Sequence, residues 1–289
     1  MKKKLIFIGI IFLSVTSLRN DVISSVKENV STSTATYGPP SPISIQTPED
    51  GEKVKEKLTG RDIIKKAEEL IRGERSRAII KMIIVNPSWE RTLLLKTWSK
   101  GLTRTLVLII SPPKEAGVRS LRIGYDMWNY IPEIEQIIRI SPSMMGQPWM
   151  GSDFTYSDIV KGDDILRHYN HEIIKIEKEG GYLSYKVECI PKPNAPVVWG
   201  KIYYWVRKND FIPLKEEFYN EQGELIKVLT LSNIRKMDDR LIPTYWKMET
   251  VVKRGHYTII EYISVKFDLK LGDEFFSLKS LKNIYEKMN

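Results

Sequence analysis

The side chains in this chain that are best suited to chemistry are few and scattered. His168 and His171 form an H-x-x-H. On a strand, two ligands share a face at even spacing, so a separation of three needs a bulge before both rings can meet one metal ion. No third histidine lies near, and Asp163-Asp164 reads as a turn. Cys189 is the one cysteine, which excludes an intramolecular disulfide and a Cys-based metal site. It alternates with Leu183, Tyr185 and Val187, the pattern of a buried, inert thiol. Asp153, Asp158, Asp163 and Asp164 do not follow the alternating ligand pattern of a calcium loop, and Asp158 and Asp163 fit caps or turns better. The chain has no G-x-S-x-G, no Walker loop and no G-x-G-x-x-G after a strand. Spacing therefore identifies no catalytic residue, no metal ligand and no cofactor site.

What does stand out is apolar and aromatic. Within Leu121–Ile159, Trp128, Tyr130, Met144, Met145, Trp149 and Met150 are mixed with prolines and glycines, more bulk than a connecting loop needs. Two readings stay open. These side chains fill a core, or they line an adaptable apolar cavity.

The surrounding elements must position that segment. A chain of 289 residues with 42% hydrophobic and 28% charged side chains has the composition of a globular protein. The net charge is +9, of which Lys2–Lys4 supply three; the remaining charge is interspersed along the chain and forms no basic run, so no nucleic-acid partner is expected. Residues 1–17 read as an export signal cleaved near residue 17: Lys2–Lys4, the apolar Leu5–Leu13, then Val15-Thr16-Ser17. As a helix the apolar stretch spans only about 14 Å, against roughly 30 Å of bilayer hydrocarbon, so a retained anchor is the weaker reading. Residues 18–57 are rich in Ser, Thr, Pro and charge, the composition of a disordered linker.

From residue 58 onward a single domain is expected. Thr59–Gly73 predicts a helix with Ile63, Ala67, Leu70 and Ile71 on one stripe, Thr59 or Asp62 as its cap and Gly73 as its end. The period then changes to two. About a dozen short strands follow, joined by turns such as Asn86-Pro87-Ser88, Lys100-Gly101, Gln222-Gly223 and Arg254-Gly255, with a short polar tail at the end. This predicts an antiparallel meander, and a single sheet of that size curls. The class is mainly β: one curved antiparallel sheet, an incomplete barrel, covered by one or two helices. A two-sheet sandwich is the alternative.

The segment also resembles a known family. W-x-Y-x-P at Trp128–Pro132, the pair Arg139-Ile140, the run Met150-Gly151-Ser152-Asp153-Phe154-Thr155-Tyr156-Ser157-Asp158 and the step Ile242-Pro243-Thr244 resemble the LolA-like outer-membrane lipoprotein-sorting proteins. The resemblance covers about residues 59–275. It implies a half-barrel whose cavity takes lipid or lipoprotein acyl chains, in a periplasmic monomer that works between an inner-membrane exporter and an outer-membrane acceptor. This chain departs from the family at Glu133, Ile134, Glu135 and Gln136, where members often carry basic residues.

On this reading one parity lines the cavity: Leu93 and Leu95, then Leu106, Leu108 and Ile110, then Leu121 and Ile123, with Val187, Cys189, Trp246 and Met248 on later strands. Trp128, Tyr130, Met144, Met145 and Trp149 are expected at the mouth or under the cover. The function expected is a non-enzymatic carrier. The rivals are an envelope-stress sensor or signalling module that binds a membrane partner, and an envelope hydrolase that uses His168 or His171.

Overall fold

Helix α1 spans Gly60–Arg72 in the computed structural model, which describes residues 58–160 and 164–283. The expected leader, the expected linker and the Asp163 turn fall outside those residues. The start of α1 is sealed reciprocally: the Thr59 amide donates to Asp62 Oδ2 at 3.0 Å, and the Asp62 amide donates to Thr59 Oγ1 at 3.2 Å. Gly73 ends the helix at φ 63°, a conformation that glycine adopts without a side-chain clash. Ile63, Ile64, Ala67 and Ile71 are buried along one stripe, so the helix lies on the sheet as its periodicity predicts.

The strands are β1 Arg75–Asn86, β2 Trp89–Lys100, β3 Arg104–Ser111, β4 Arg119–Ile123, β5 Asp126–Ile131, β6 Gln136–Arg139, β7 Tyr169–Glu179, β8 Tyr182–Pro191, β9 Lys201–Arg207, β10 Pro213–Tyr219, β11 Leu225–Met237, β12 Arg240–Thr250 and β13 Tyr257–Phe267. They form one sheet of 13 strands in the order β6-β5-β4-β3-β2-β1-β13-β12-β11-β10-β9-β8-β7. Chain neighbours pair except β6 with β7, and antiparallel pairing of β1 with β13 joins the two halves of the meander. The curved sheet stays open, with β6 and β7 as its edges. β12 begins earlier than its sequence suggests: Pro243 sits opposite Ile234 in an unbroken register, next to Asn233, whose φ is 55°. There the Thr244 hydroxyl donates to the Asn233 carbonyl at 2.7 Å, so the strand tolerates a residue without an N–H.

The two faces of the sheet separate residues that the sequence had grouped. Opposed residues of an antiparallel pair share a face, and Leu95 faces Ile109 while Lys96 faces Leu108 and Trp98 faces Leu106. The inner face thus continues from Leu93 and Leu95 into Val107 and Ile109, with Ile80, Met82, Ile84, Ile242 and Trp149 in the same cluster. The expected inner parity of β3 to β5 is corrected. Leu106, Leu108, Leu121 and Tyr130, with Ile123 and Trp128 against them, pack on the other face beneath Phe276 and Leu281. Ile110 is 38% exposed. β3 is apolar on both sides, so alternation alone does not choose its inner face.

The cover over that outer cluster corrects the expected polar tail. A single 3-10 turn at Asp273–Phe275 and helix α4, Leu278–Asn283, lie across β4. Arg119 holds them, donating from Nη1 to the carbonyls of Leu281 at 2.9 Å and Lys282 at 2.8 Å. Leu108 is 1% exposed in this closed cluster. Leu108→Phe should therefore cost about 1–3 kcal/mol by overpacking. That loss will appear as a lower denaturant midpoint, with fatty-acid binding per folded molecule retained.

Candidate functional site

Between edge strands β6 and β7 the chain crosses the inner face through two 3-10 turns, Pro142–Met144 and Trp149–Gly151, and two short helices, α2 Tyr156–Val160 and α3 Asp164–His168. The Met150–Asp158 run pins this cover to the sheet. Trp149 Nε1 donates to Ser120 Oγ of β4 at 3.3 Å, and Asn129 Nδ2 of β5 donates to the Tyr156 hydroxyl at 3.2 Å. A sharp turn through Met150 and Gly151, φ 51° and 73°, redirects the chain. Asp153 then accepts from Thr250 Oγ1 of β12 and Thr258 Oγ1 of β13, both at 2.8 Å. Those strands lie five and four places from β4 along the sheet, so one short segment ties distant strands together.

Lys227 of β11 completes the clip. Its ammonium donates to the Asp153 carbonyl at 2.8 Å and to Asp158 Oδ2 at 2.7 Å, with the Lys227 side chain only 7% exposed. Asp158 also takes part in the cap of α2, accepting from the Thr155 amide at 2.8 Å while its own amide donates to Thr155 Oγ1 at 3.1 Å.

Beneath the cover, between α1 and strands β9 to β12, lies a cavity of about 170 Å³. Phe154, Trp199, Phe218, Leu231, Trp246 and Met248 give it apolar and aromatic walls. Ser157 and Val198 also line an adjoining, more open groove of about 770 Å³ bordered by Tyr125, Met145, His168 and Pro196. The groove is lined by the crossing segment, by the turn at Tyr125 and by the loop at Pro196. The cavity alone is smaller than the roughly 300–1,000 Å³ usual for ligand pockets, and the groove supplies the remaining length.

One wall of the cavity is charged. Glu68 of α1 accepts from the Tyr204 hydroxyl at 2.9 Å and from Arg72 Nε at 3.3 Å. Burial works against the charge on Arg72, yet its Glu68 partner holds its pKa above the ordinary value. Burial raises the Tyr204 phenol well above its ordinary pKa, and the Glu68 carboxylate adds to that. Glu216 of β10 faces the same space. Burial first, then the negative charge of Glu68, push its carboxyl up to about 8 against the pull of Arg72, with a lesser push from Asp158.

The structure brings together some of the residues expected from sequence. Trp246 and Met248 line the cavity, Met145 borders the groove, and Leu93, Leu95 and Trp149 pack beneath the cover in the adjoining core. Met144 is 39% exposed. Val187 and Cys189 are fully buried under α1, and burial raises the thiol pKa. His171 Nε2 lies 2.6 Å from the Ile165 carbonyl, and burial lowers its pKa. His168 Nε2 lies 3.2 Å from the Tyr125 hydroxyl. Among the described residues, no group of three or more His, Cys, Asp or Glu is placed to hold a metal ion. Sequence reasoning missed Glu68, Arg72, Tyr204 and Glu216. The available signal was Leu214, Glu216 and Phe218, a carboxylate within an apolar parity.

A protein-family model described as an uncharacterized protein matches residues 101–283. No curated protein matches the chain in sequence. Among solved structures, the chain is similar to a DUF1329 family protein from Desulfovibrio piger, at 26% identity and TM-score 0.70, over 77% of this chain and 97% of that one. It is also similar to a domain designated outer membrane lipoprotein-sorting from Vibrio parahaemolyticus, at 26% identity and TM-score 0.68, over 77% and 98% of the two chains. A LolA superfamily protein from Nitrosomonas europaea matches at 25% identity and TM-score 0.65, over 77% and 99%.

Proposed function

This chain belongs to the LolA-like family, and from that premise we propose that it is an exported, non-enzymatic carrier that shields a lipid or lipoprotein acyl chain in its apolar cavity. The observation that carries this reading is an aromatic-walled cavity that shares Ser157 and Val198 with a more open groove. Each buried methylene is worth about 0.8 kcal/mol, so exposing a chain of about sixteen carbons costs on the order of 12 kcal/mol. A carrier needs only to remove that barrier, and it needs no covalent chemistry. The cover, residues 140–160 and 164–168, acts as the movable wall, since among the described residues it is held to the sheet mainly by side-chain hydrogen bonds.

Native mass spectrometry of protein taken from an envelope fraction tests the reading, and co-purifying lipid is the expected result. Leu231→Trp supplies a second test. Leu231 is 3% exposed and borders the cavity. The indole should enter free space, lower affinity for a fluorescent fatty acid at least tenfold, and avoid the roughly 1–3 kcal/mol loss that overpacking brings to a solid core. Ester hydrolysis that vanishes in His171→Ala would replace the carrier with a hydrolase. A stable protein partner without lipid would replace it with a signalling module.

A further inference from the structure

We propose that the cavity is selective for ligands that carry an organic cation, such as an alkylammonium group, with Glu216 as its counter-ion and the surrounding rings as a cage. The inference rests on the carrier reading and names the chemistry of the head group.

Charge pairing within the cavity is the first observation. Glu68 is engaged by Arg72 and Tyr204, and Asp158 is engaged by Lys227. Among the described residues no hydrogen-bond or ion-pair partner stands against the Glu216 carboxylate, although it faces a lined cavity. Its strand neighbours give it none: Tyr204 and Leu229 stand opposite it on β9 and β11, and the Tyr204 hydroxyl is spent on Glu68. Part of its surface remains accessible because it borders free space. An unpaired carboxylate there is costly unless a cation arrives or a proton neutralises it.

The walls provide a second, independent observation. Trp199 and Phe218 meet with ring centroids 5.4 Å apart, and Trp246, Phe154 and Tyr204 complete an aromatic lining. Ring faces carry negative potential and attract ammonium groups, which is how aromatic cages hold quaternary amines. The lining already does this once, since the Lys227 ammonium stands 5.7 Å from the Trp199 ring centroid. An anionic head would find Arg72, the lining's cation, already engaged by Glu68.

The titratable and charged groups that interact with Glu216 are Glu68 and Arg72 from α1, Asp158 from α2, Tyr204 from β9 and Cys189 from β8. With its carboxyl pushed up to about 8, Glu216 is mostly protonated at pH 7 before a cation binds. Binding a permanent cation must therefore expel that proton.

The test is calorimetric titration of the whole protein with decyltrimethylammonium, decanol and decanoate, each below its micelle-forming concentration and in buffers of different ionisation enthalpy. Expected is an order cation, alcohol, anion, with at least tenfold between the first two. Close to one proton should leave per bound cation at pH 7, and almost none at pH 9.5. In Glu216→Gln the proton release should disappear and the preference should collapse. Equal binding of cation and alcohol without proton release overturns the inference and leaves the carrier reading standing. Failure of all three ligands to bind overturns both.

Discussion

Glu216→Gln is expected to stabilise the protein at pH 9 and to change it little at pH 4. The carboxyl titrates at about 8 in the folded chain against an ordinary value of 4.5. Its folded pKa is raised, so between those values the folded chain keeps a proton that the unfolded chain releases. Stability therefore falls as pH rises through that window, and the penalty is complete above about pH 8. At about 1.4 kcal/mol per pKa unit the loss approaches an upper bound on the order of 4–5 kcal/mol, which water in the cavity would reduce. Glutamine carries no proton to lose and escapes the penalty. Urea midpoints at pH 4, 6 and 9 check this. Wild-type and variant curves should diverge with rising pH. Parallel curves would mean that the Glu216 carboxyl is well hydrated in the folded chain.

Removing the Lys227 ammonium has the opposite sign and a comparable size. Lys227→Ala leaves the Asp158 carboxylate and the Asp153 carbonyl without the donor that joins them to β11. Breaking a buried pair from one side costs about 3–5 kcal/mol, because the remaining charge stays buried. Part of that cost can be avoided if the cover lifts and Asp158 reaches water. Hydrogen exchange should then accelerate first at the amides of Ser152, Asp153, Phe154 and Thr155, ahead of β11 and β12. Lys227→Ala with Asp158→Asn should recover part of the loss, since the stranded charge is gone. Uniform acceleration across the sheet would show that the clip stabilises the whole fold rather than the cover.

Local chemistry made much of the architecture legible. The reciprocal Thr59–Asp62 cap, the apolar stripe through Ile63 and Ala67, and Gly73 define a helix without reference to anything distant. Period-two runs separated by turns such as Gln222-Gly223 likewise define an antiparallel meander, because hairpin geometry is set by neighbouring residues. The Met150–Asp158 run, with the other quoted motifs, carried the family resemblance before its contacts were visible.

Faces and pairings across the fold were not legible in the same way. Leu106-Val107-Leu108-Ile109 are all buried, so the pattern offers no polar side to reject. Only the β2–β3 register turns Val107 and Ile109 inward and sends Leu106 and Leu108 beneath the C-terminal turn. That turn itself reads as a tail, because its few apolar residues find their pocket on β3 to β5, far back in the chain. The same holds for the charged wall of the cavity. Glu68 and Tyr204 are 136 residues apart in sequence. Each is an ordinary residue of a helix or a strand until α1 lies across β9 and leaves Glu216 facing an aromatic space.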